Sequence, residues 1–318
     1  TPEMTPDYDE RSSLNGYRMV FSIAGTLGAI ILVTILGWLV SDTQVLYTLA
    51  GLILGLAAIF PPLIVFSVTR ERPSGELPES LPPREALRAT LGNRPFRWVM
   101  GLYLLSWTAA SILAATLVYF ANYYLGVPDQ ANYFVLAAQG AAILFIPLIV
   151  WLARRLDKRR AFIIGTLTWI MVLLGISVLA PHQVSLAYVL AVLAGLGIAT
   201  AYVIPWSMVP DVTDYDAVKT SRRREGSFYA FASLFQKLAT GLAIWGMGQA
   251  LAWTSYVTPT PGAPLPQQPE EVVAAIRMFM GPVPAVLLIL AIFCAWRYPI
   301  TRERHQVLRQ ELAQLELT

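Results

Sequence analysis

Charge is scarce in this sequence. Only 14% of its 318 residues are Asp, Glu, Lys or Arg, where soluble domains average about 25%. With 56% hydrophobic residues and a mean hydropathy of +0.56, that shortfall excludes an ordinary soluble domain. Cysteine is limited to Cys294, so no intrachain disulfide can form. Histidine is limited to His182 and His305, and neither His-Glu-x-x-His nor Gly-x-Ser-x-Gly occurs, which removes two common hydrolase chemistries. An enzyme is not expected. The net charge of +3 is arranged in blocks along the chain rather than on one face, so nucleic acid is not an expected partner.

What is abundant is unbroken apolar sequence. Eight runs are long enough to cross a hydrocarbon core of about 30 Å. They fall near Tyr17–Val40, Val45–Val68, Trp98–Tyr123, Tyr133–Ala153, Ala161–Ala180, Val184–Val209, Ser227–Trp253 and Val272–Trp296. Their connections alternate in character. Ser41–Gln44, Leu125–Gln130, Pro181–Gln183 and Thr254–Gln268 hold no Lys or Arg. The other connections and the termini hold every basic residue except Lys237, Arg277 and Arg18, which stands at the start of the first run. The positive-inside rule therefore makes both termini cytoplasmic. This predicts an all-α, multi-pass protein of the cell's inner (plasma) membrane, with the bilayer as its surroundings.

A short repeat bears on the organisation. Met4-Thr-Pro-Asp7 recurs as Met208-Val-Pro-Asp211, each ahead of a charged loop, two spans and a basic segment. Four spans precede the second copy and three residues precede the first, which opens on Thr1 instead of Met. Transporters are commonly built from such internal repeats. The expectation is a fold of six plus six spans whose first four helices are absent here. The predicted divisions are 1–69, the remainder of an N-terminal bundle; 70–97, an inter-bundle linker with a short helix over 84–91; 98–298, a six-helix bundle; and 299–318, a cytoplasmic tail.

Lys237 is the residue most in need of an explanation. It lies about 15 Å along its helix from the cytoplasmic end, at 1.5 Å per residue, and no Asp or Glu occurs in any of the eight runs. An intramembrane ammonium is costly and marks a solute or ion pathway, so Lys237 is the candidate coupling residue, enclosed among polar partners. Candidate solute contacts are Arg18, Trp107, Gln139, Tyr202 and Gln236. Arg277 reads as an interfacial anchor. Asp211 and Asp214 with Arg223, and Asp157 with Arg154, are candidate gate residues. Their mixture of signs fits ion pairs that break on opening and not a metal site. Gly51 and Gly55 suit close helix packing, and Pro205, Pro210, Pro282 and Pro284 should kink or end their helices.

Four segments together resemble a known family. They are Glu3-Met-Thr-Pro-Asp-Tyr-Asp-Glu-Arg11 with Tyr17-Arg18; Pro205-Trp-Ser-Met-Val-Pro-Asp-Val-Thr-Asp-Tyr-Asp216; Arg223-Arg-Glu-Gly-Ser-Phe-Tyr229 running to Gln236-Lys237; and Tyr298-Pro-Ile-Thr-Arg-Glu-Arg-His305. They resemble the glycoside–pentoside–hexuronide:cation symporters, the melibiose-permease branch of the major facilitator superfamily. The resemblance implies that Lys237 is the family's intramembrane Lys beside the cation site and that Arg18 is a sugar-site Arg. Tyr202 stands where the melibiose permease has a sugar-stacking Trp. The vertebrate sodium-coupled lysophospholipid symporters are similar in the Pro-Trp-Ser-Met motif and the Lys.

The expected function is secondary active symport of a sugar or glycoside-like solute with Na⁺ or H⁺ by alternating access, without a cofactor and as a monomer. A cation-coupled lysophospholipid transporter is the second reading. A non-transporting membrane sensor or scaffold is the third.

Overall fold

In a computed structural model the described residues are 8–68, 82–220, 224–260 and 263–315, excluding the side chains of 8–20, 83, 309 and 312–315. The chain divides into two compact units, Thr1–Leu77 and Pro78–Thr318. The described residues are helical with turns between. Among the described residues, seven helical segments are long and apolar enough to cross a membrane.

The first unit is a pair of helices, α1 (Tyr8–Leu39) and α2 (Thr43–Val68). The Asp42 carboxylate caps α2 by accepting from the backbone N–H of Gln44 (2.8 Å) and Val45 (3.1 Å), a contact of about 1 kcal/mol. Most of their large apolar side chains are exposed, as expected of helices solvated by lipid. Among the described residues nothing packs on Gly51 or Gly55: a Cβ at either would meet nothing within 4 Å.

The second unit runs α3 (Pro83–Gly92), α4 (Arg94–Tyr119), α5 (Ala131–Leu156), α6 (Lys158–Ser177), α7 (Val184–Thr220), α8 (Glu225–Trp253), α9 (Glu270–Met280), α10 (Pro282–Arg297) and α11 (Arg302–Leu315). The short helix expected over 84–91 is α3. Asn93 ends α3 and caps α4, its Oδ1 accepting from Phe96 N at 3.1 Å. A π-helical turn at Phe120–Tyr124 and Gly126, at φ +70, close α4 before α5. The expected seventh span is α8. It has 29 residues but falls outside the seven apolar segments, because Gln236 and Lys237 sit mid-helix.

Small residues set the packing of the α5, α6 and α7 layer. At Gly195 on α7 a Cβ would lie 2.8 Å from Ala138 O and Ala142 N of α5. At Gly197 it would lie 2.1 Å from the Trp169 ring of α6. Close backbone approach of this kind is how membrane helices gain contact without a hydrophobic driving force.

Of the expected kink or end, the end does not occur at two prolines. Pro205 and Pro210 do not end α7, which runs 37 residues through both to Thr220, about 55 Å at 1.5 Å per residue. That exceeds a hydrocarbon core of about 30 Å, so its end projects beyond it. Asp211, Asp214 and Asp216 therefore ride on the same rigid element as Tyr202 and Trp206. The last span is broken at Gly281, where the helix restarts with Pro282 as α10. A Cβ there would lie 2.0 Å from Ser177 Oγ, so α6 occupies the space a side chain would need.

Candidate functional site

Two aromatic pairs at helical i, i+4 spacing face each other inside the second unit: Tyr103 and Trp107 on α4, and Tyr202 and Trp206 on α7. Trp107 stacks on Tyr202 at 4.9 Å between centroids and 28° between planes. Trp206 meets Tyr103 edge-on at 5.7 Å and donates its Nε1–H to Tyr103 Oη at 2.9 Å. Tyr229 of α8 stacks beyond Trp206 at 6.1 Å and 17°. Trp107 Nε1 donates to Thr240 Oγ1 of α8 at 2.9 Å, and Ser111 Oγ lies 3.5 Å from the same hydroxyl. On α5, Gln139 interacts with the Tyr202 hydroxyl, while its Oε1 is buried with no partner. Trp107 is thirteen residues into α4, about 20 Å along the helix. The wall is thus at mid-membrane depth.

α8 packs on its neighbours through Phe228, Ala232, Ala239, Ala243, Met247 and Leu251. Phe228 meets Phe96 edge-on at 5.0 Å, and Met247 Sδ accepts from Thr116 Oγ1 at 3.5 Å. At 100° per residue the opposite surface divides in two. Leu234, Leu238, Leu242 and Trp245, all exposed, form an apolar stripe. Ser233, Gln236, Lys237, Thr240 and Gly241 form a polar one, running alongside the aromatic wall.

Lys237 is exposed on this unit, a correction to the expected enclosure. α8 is an edge helix here, covered only along its Ala-rich face. Among the described residues Lys237 has no carboxylate within ion-pair distance. The side chain of Gln236 likewise makes no described contact; its carbonyl accepts from Thr240 Oγ1 at 3.2 Å. Arg18 and Arg223 lie outside the described side chains. Of the expected solute contacts, the structure brings together Trp107, Tyr202 and Gln139.

The charged ends of α6, α7 and α11 converge on a second cluster, at the basic end of the bundle. Lys158 Nζ contacts both Asp211 oxygens at 2.7 Å and Ser207 O at 2.7 Å. His305 Nε2 lies 3.5 Å from Asp211 and 3.3 Å from Asp214. Arg224 clasps Asp216 through Nε at 3.1 Å and Nη2 at 2.9 and 3.0 Å. Asp216 also accepts from Asn93 Nδ2 at 3.3 Å. Asp157 forms none of these pairs. It makes the one-residue turn from α5 to α6 at φ 94, a strained value for a residue with a Cβ. Arg154 contributes only its carbonyl, which accepts from Arg302 Nη1 at 2.8 Å.

At the other end Arg277 Nη2 donates to Ser177 O at 3.0 Å and lies 4.9 Å over the Tyr124 ring. It is therefore a clamp on the C-terminus of α6, whose last carbonyls lack helical partners. Nearby, Tyr123 and Tyr256 hydroxyls meet at 2.9 Å. Burial and the adjoining phenol push the Tyr256 hydroxyl well above its ordinary range, so it stays protonated.

A sequence model of the family described as "MFS/sugar transport protein" matches residues 1–302. The chain belongs to this family. An uncharacterized symporter of Synechocystis is 41% identical over 243 residues, covering 76% of this chain and 44% of that protein. Sodium-dependent lysophosphatidylcholine symporter 1-B of Danio rerio is 31% identical over 219 residues, covering 68% of this chain and 40% of that protein. A sphingosine-1-phosphate transporter of Xenopus tropicalis is 26% identical over 343 residues, covering 94% and 63%. The chain spans about half the length of the curated relatives it matches. As a major facilitator protein it is a multi-pass membrane protein and not an enzyme.

The residues that sequence reasoning missed are mostly partners. Lys158 carries only a place in the basic loops, and His305 and Asn93 carry no assigned contact. Tyr103 and Tyr229 carry no role in the sequence reading. The spacing of Tyr103–Trp107 and Tyr202–Trp206 was the available signal, since i, i+4 residues share a helix face.

Proposed function

We propose that the protein containing this chain carries a solute across the membrane together with a cation, Na⁺ in first place, by alternating access. The observation that carries this reading is Lys237, a cation at membrane depth with no carboxylate within ion-pair distance among the described residues, on the polar stripe of α8 whose Thr240 accepts from Trp107. A side chain so placed is costly in lipid and inexpensive in a watered pathway. The aromatic faces of Trp107 and Tyr202 supply stacking area, Gln139 Oε1 supplies a free acceptor, and Lys237 supplies a charge for an anion. Na⁺ is preferred because the named relatives include sodium-dependent symporters.

The solute has two readings. A sugar or glycoside suits the stacked aromatics and the family description. A lysophospholipid suits the unpaired ammonium, which a phosphate would neutralise, and follows the names of relatives 26–31% identical. The test is uptake by proteoliposomes holding the full-length protein, with imposed Na⁺ or pH gradients and panels of sugars, glycosides and lysophospholipids. Gradient-dependent accumulation of one class identifies the solute. Binding of a solute without accumulation under any gradient would favour a sensor on the same scaffold and defeat the transport reading.

A further inference from the structure

We propose that the basic end of the α4–α10 edge is a binding site for an anionic phospholipid headgroup of the adjoining leaflet. This goes beyond the transport reading and does not depend on it.

The depth of the site follows from α10. Its exposed residues are Val286, Ile289, Leu290, Phe293 and Trp296, at spacings of three and four, so a single apolar stripe faces outward. In a membrane protein such a stripe faces hydrocarbon. It stops at Trp296, and Arg297 follows, an aromatic-then-cation order that marks the headgroup region. Helix α4 reaches the same depth alongside. A Cβ at Gly101 would lie 2.9 Å from Cys294 Sγ, and Trp98 meets Phe293 edge-on at 6.2 Å. One turn toward the basic end from Gly101 stands Arg97, and one further stands Arg94.

Charge decides the occupant. Elsewhere at this end Lys158 is held by Asp211, Arg224 by Asp216 and Arg302 by the Arg154 carbonyl, while Arg155 lies 6.0 Å from the centre of the Trp151 ring. Arg94, Arg97 and Arg297 are exposed, and among the described residues no carboxylate lies within ion-pair distance of them. Instead Arg297 lies over the rings of Phe293 and Trp296 at 5.4 and 5.3 Å. Stacking leaves its N–H fork free at the ring edge. Three guanidinium groups beside exposed aromatics complement a phosphodiester that accepts their N–H groups, while its acyl chain lies along the α10 stripe. A protein partner would need an acidic surface inserted at headgroup depth, which nothing in the apolar stripe favours.

The test reconstitutes the full-length protein in nanodiscs of mixed phosphatidylglycerol and phosphatidylcholine and measures, by native mass spectrometry, which lipids stay bound. Wild type should retain phosphatidylglycerol in excess of the bulk ratio. In the Arg94→Gln/Arg97→Gln/Arg297→Gln variant that excess should fall at least about fivefold. In a control of equal charge change on exposed residues elsewhere, Arg84→Gln/Arg88→Gln/Lys219→Gln, it should hold within about twofold. Arg297→Gln alone leaves α4 untouched and should still lower retention about twofold or more. Unchanged retention in the triple and single variants, or an equal fall in the control, overturns the proposal. Uptake activity is not the readout, so failure here leaves the transport reading standing.

Discussion

At the scale of single residues, the strongest contacts are the ion pairs at the basic end. Asp211 is 4% exposed and holds Lys158 at 2.7 Å through both oxygens. Removing one partner strands the other charge in a dry setting, a cost of about 3–5 kcal/mol for fully buried pairs and less here because Lys158 is partly solvated. Asp211→Asn should therefore lower the thermal stability of the detergent-solubilised protein by about 2 kcal/mol. Asp211→Leu with Lys158→Met should recover most of it. A thermal melt of the three proteins checks this; a double variant as unstable as the single would show that Asp211 acts through something other than Lys158. The carboxylates were legible in the sequence as ion-pairing candidates, but their partners were not. Lys158 is 53 positions from Asp211, and His305 is 91 from Asp214. Only the α6–α7–α11 arrangement brings such distant positions together. Asp157 makes the one-residue turn between α5 and α6, so its loop joins the two helices tightly.

At the scale of helices, apolar runs fix position and small residues fix distance. The eight runs all became helices, since nothing but a helix satisfies the backbone of an apolar run in lipid. Their ends were less legible. α7 continues past Pro205 and Pro210 because each removes a single N–H donor without removing the packing on either side. The packing glycines were half legible. Gly51 and Gly55 have the expected spacing and no neighbour, whereas Gly195 and Gly197, at a spacing of two, hold α7 against α5 and α6. Gly195→Leu should cost at least about 1–3 kcal/mol through overpacking against the α5 backbone. Gly51→Ala should be neutral or slightly stabilising, from helix propensity alone. Comparing the two melts tests whether the α5–α7 contact is as tight as its geometry indicates.

At the scale of the whole molecule, family membership gives a multi-pass membrane protein, and charge sidedness predicts its orientation. Cysteines introduced at Asp129 and Ala263, in a Cys294→Ser background, should react with an impermeant maleimide from outside intact cells. Cysteines at Arg159 and Arg304 should react only after permeabilisation. The reverse pattern would invert the topology read from the basic loops.

The central claim is that Lys237 works in a solute route and not as a tolerated surface charge on α8. The direct measurement is Na⁺-driven accumulation of solute by proteoliposomes carrying the full-length Lys237→Ala variant, with protein incorporation matched to wild type. The account predicts accumulation no higher than in protein-free vesicles. Accumulation at the wild-type rate would contradict it.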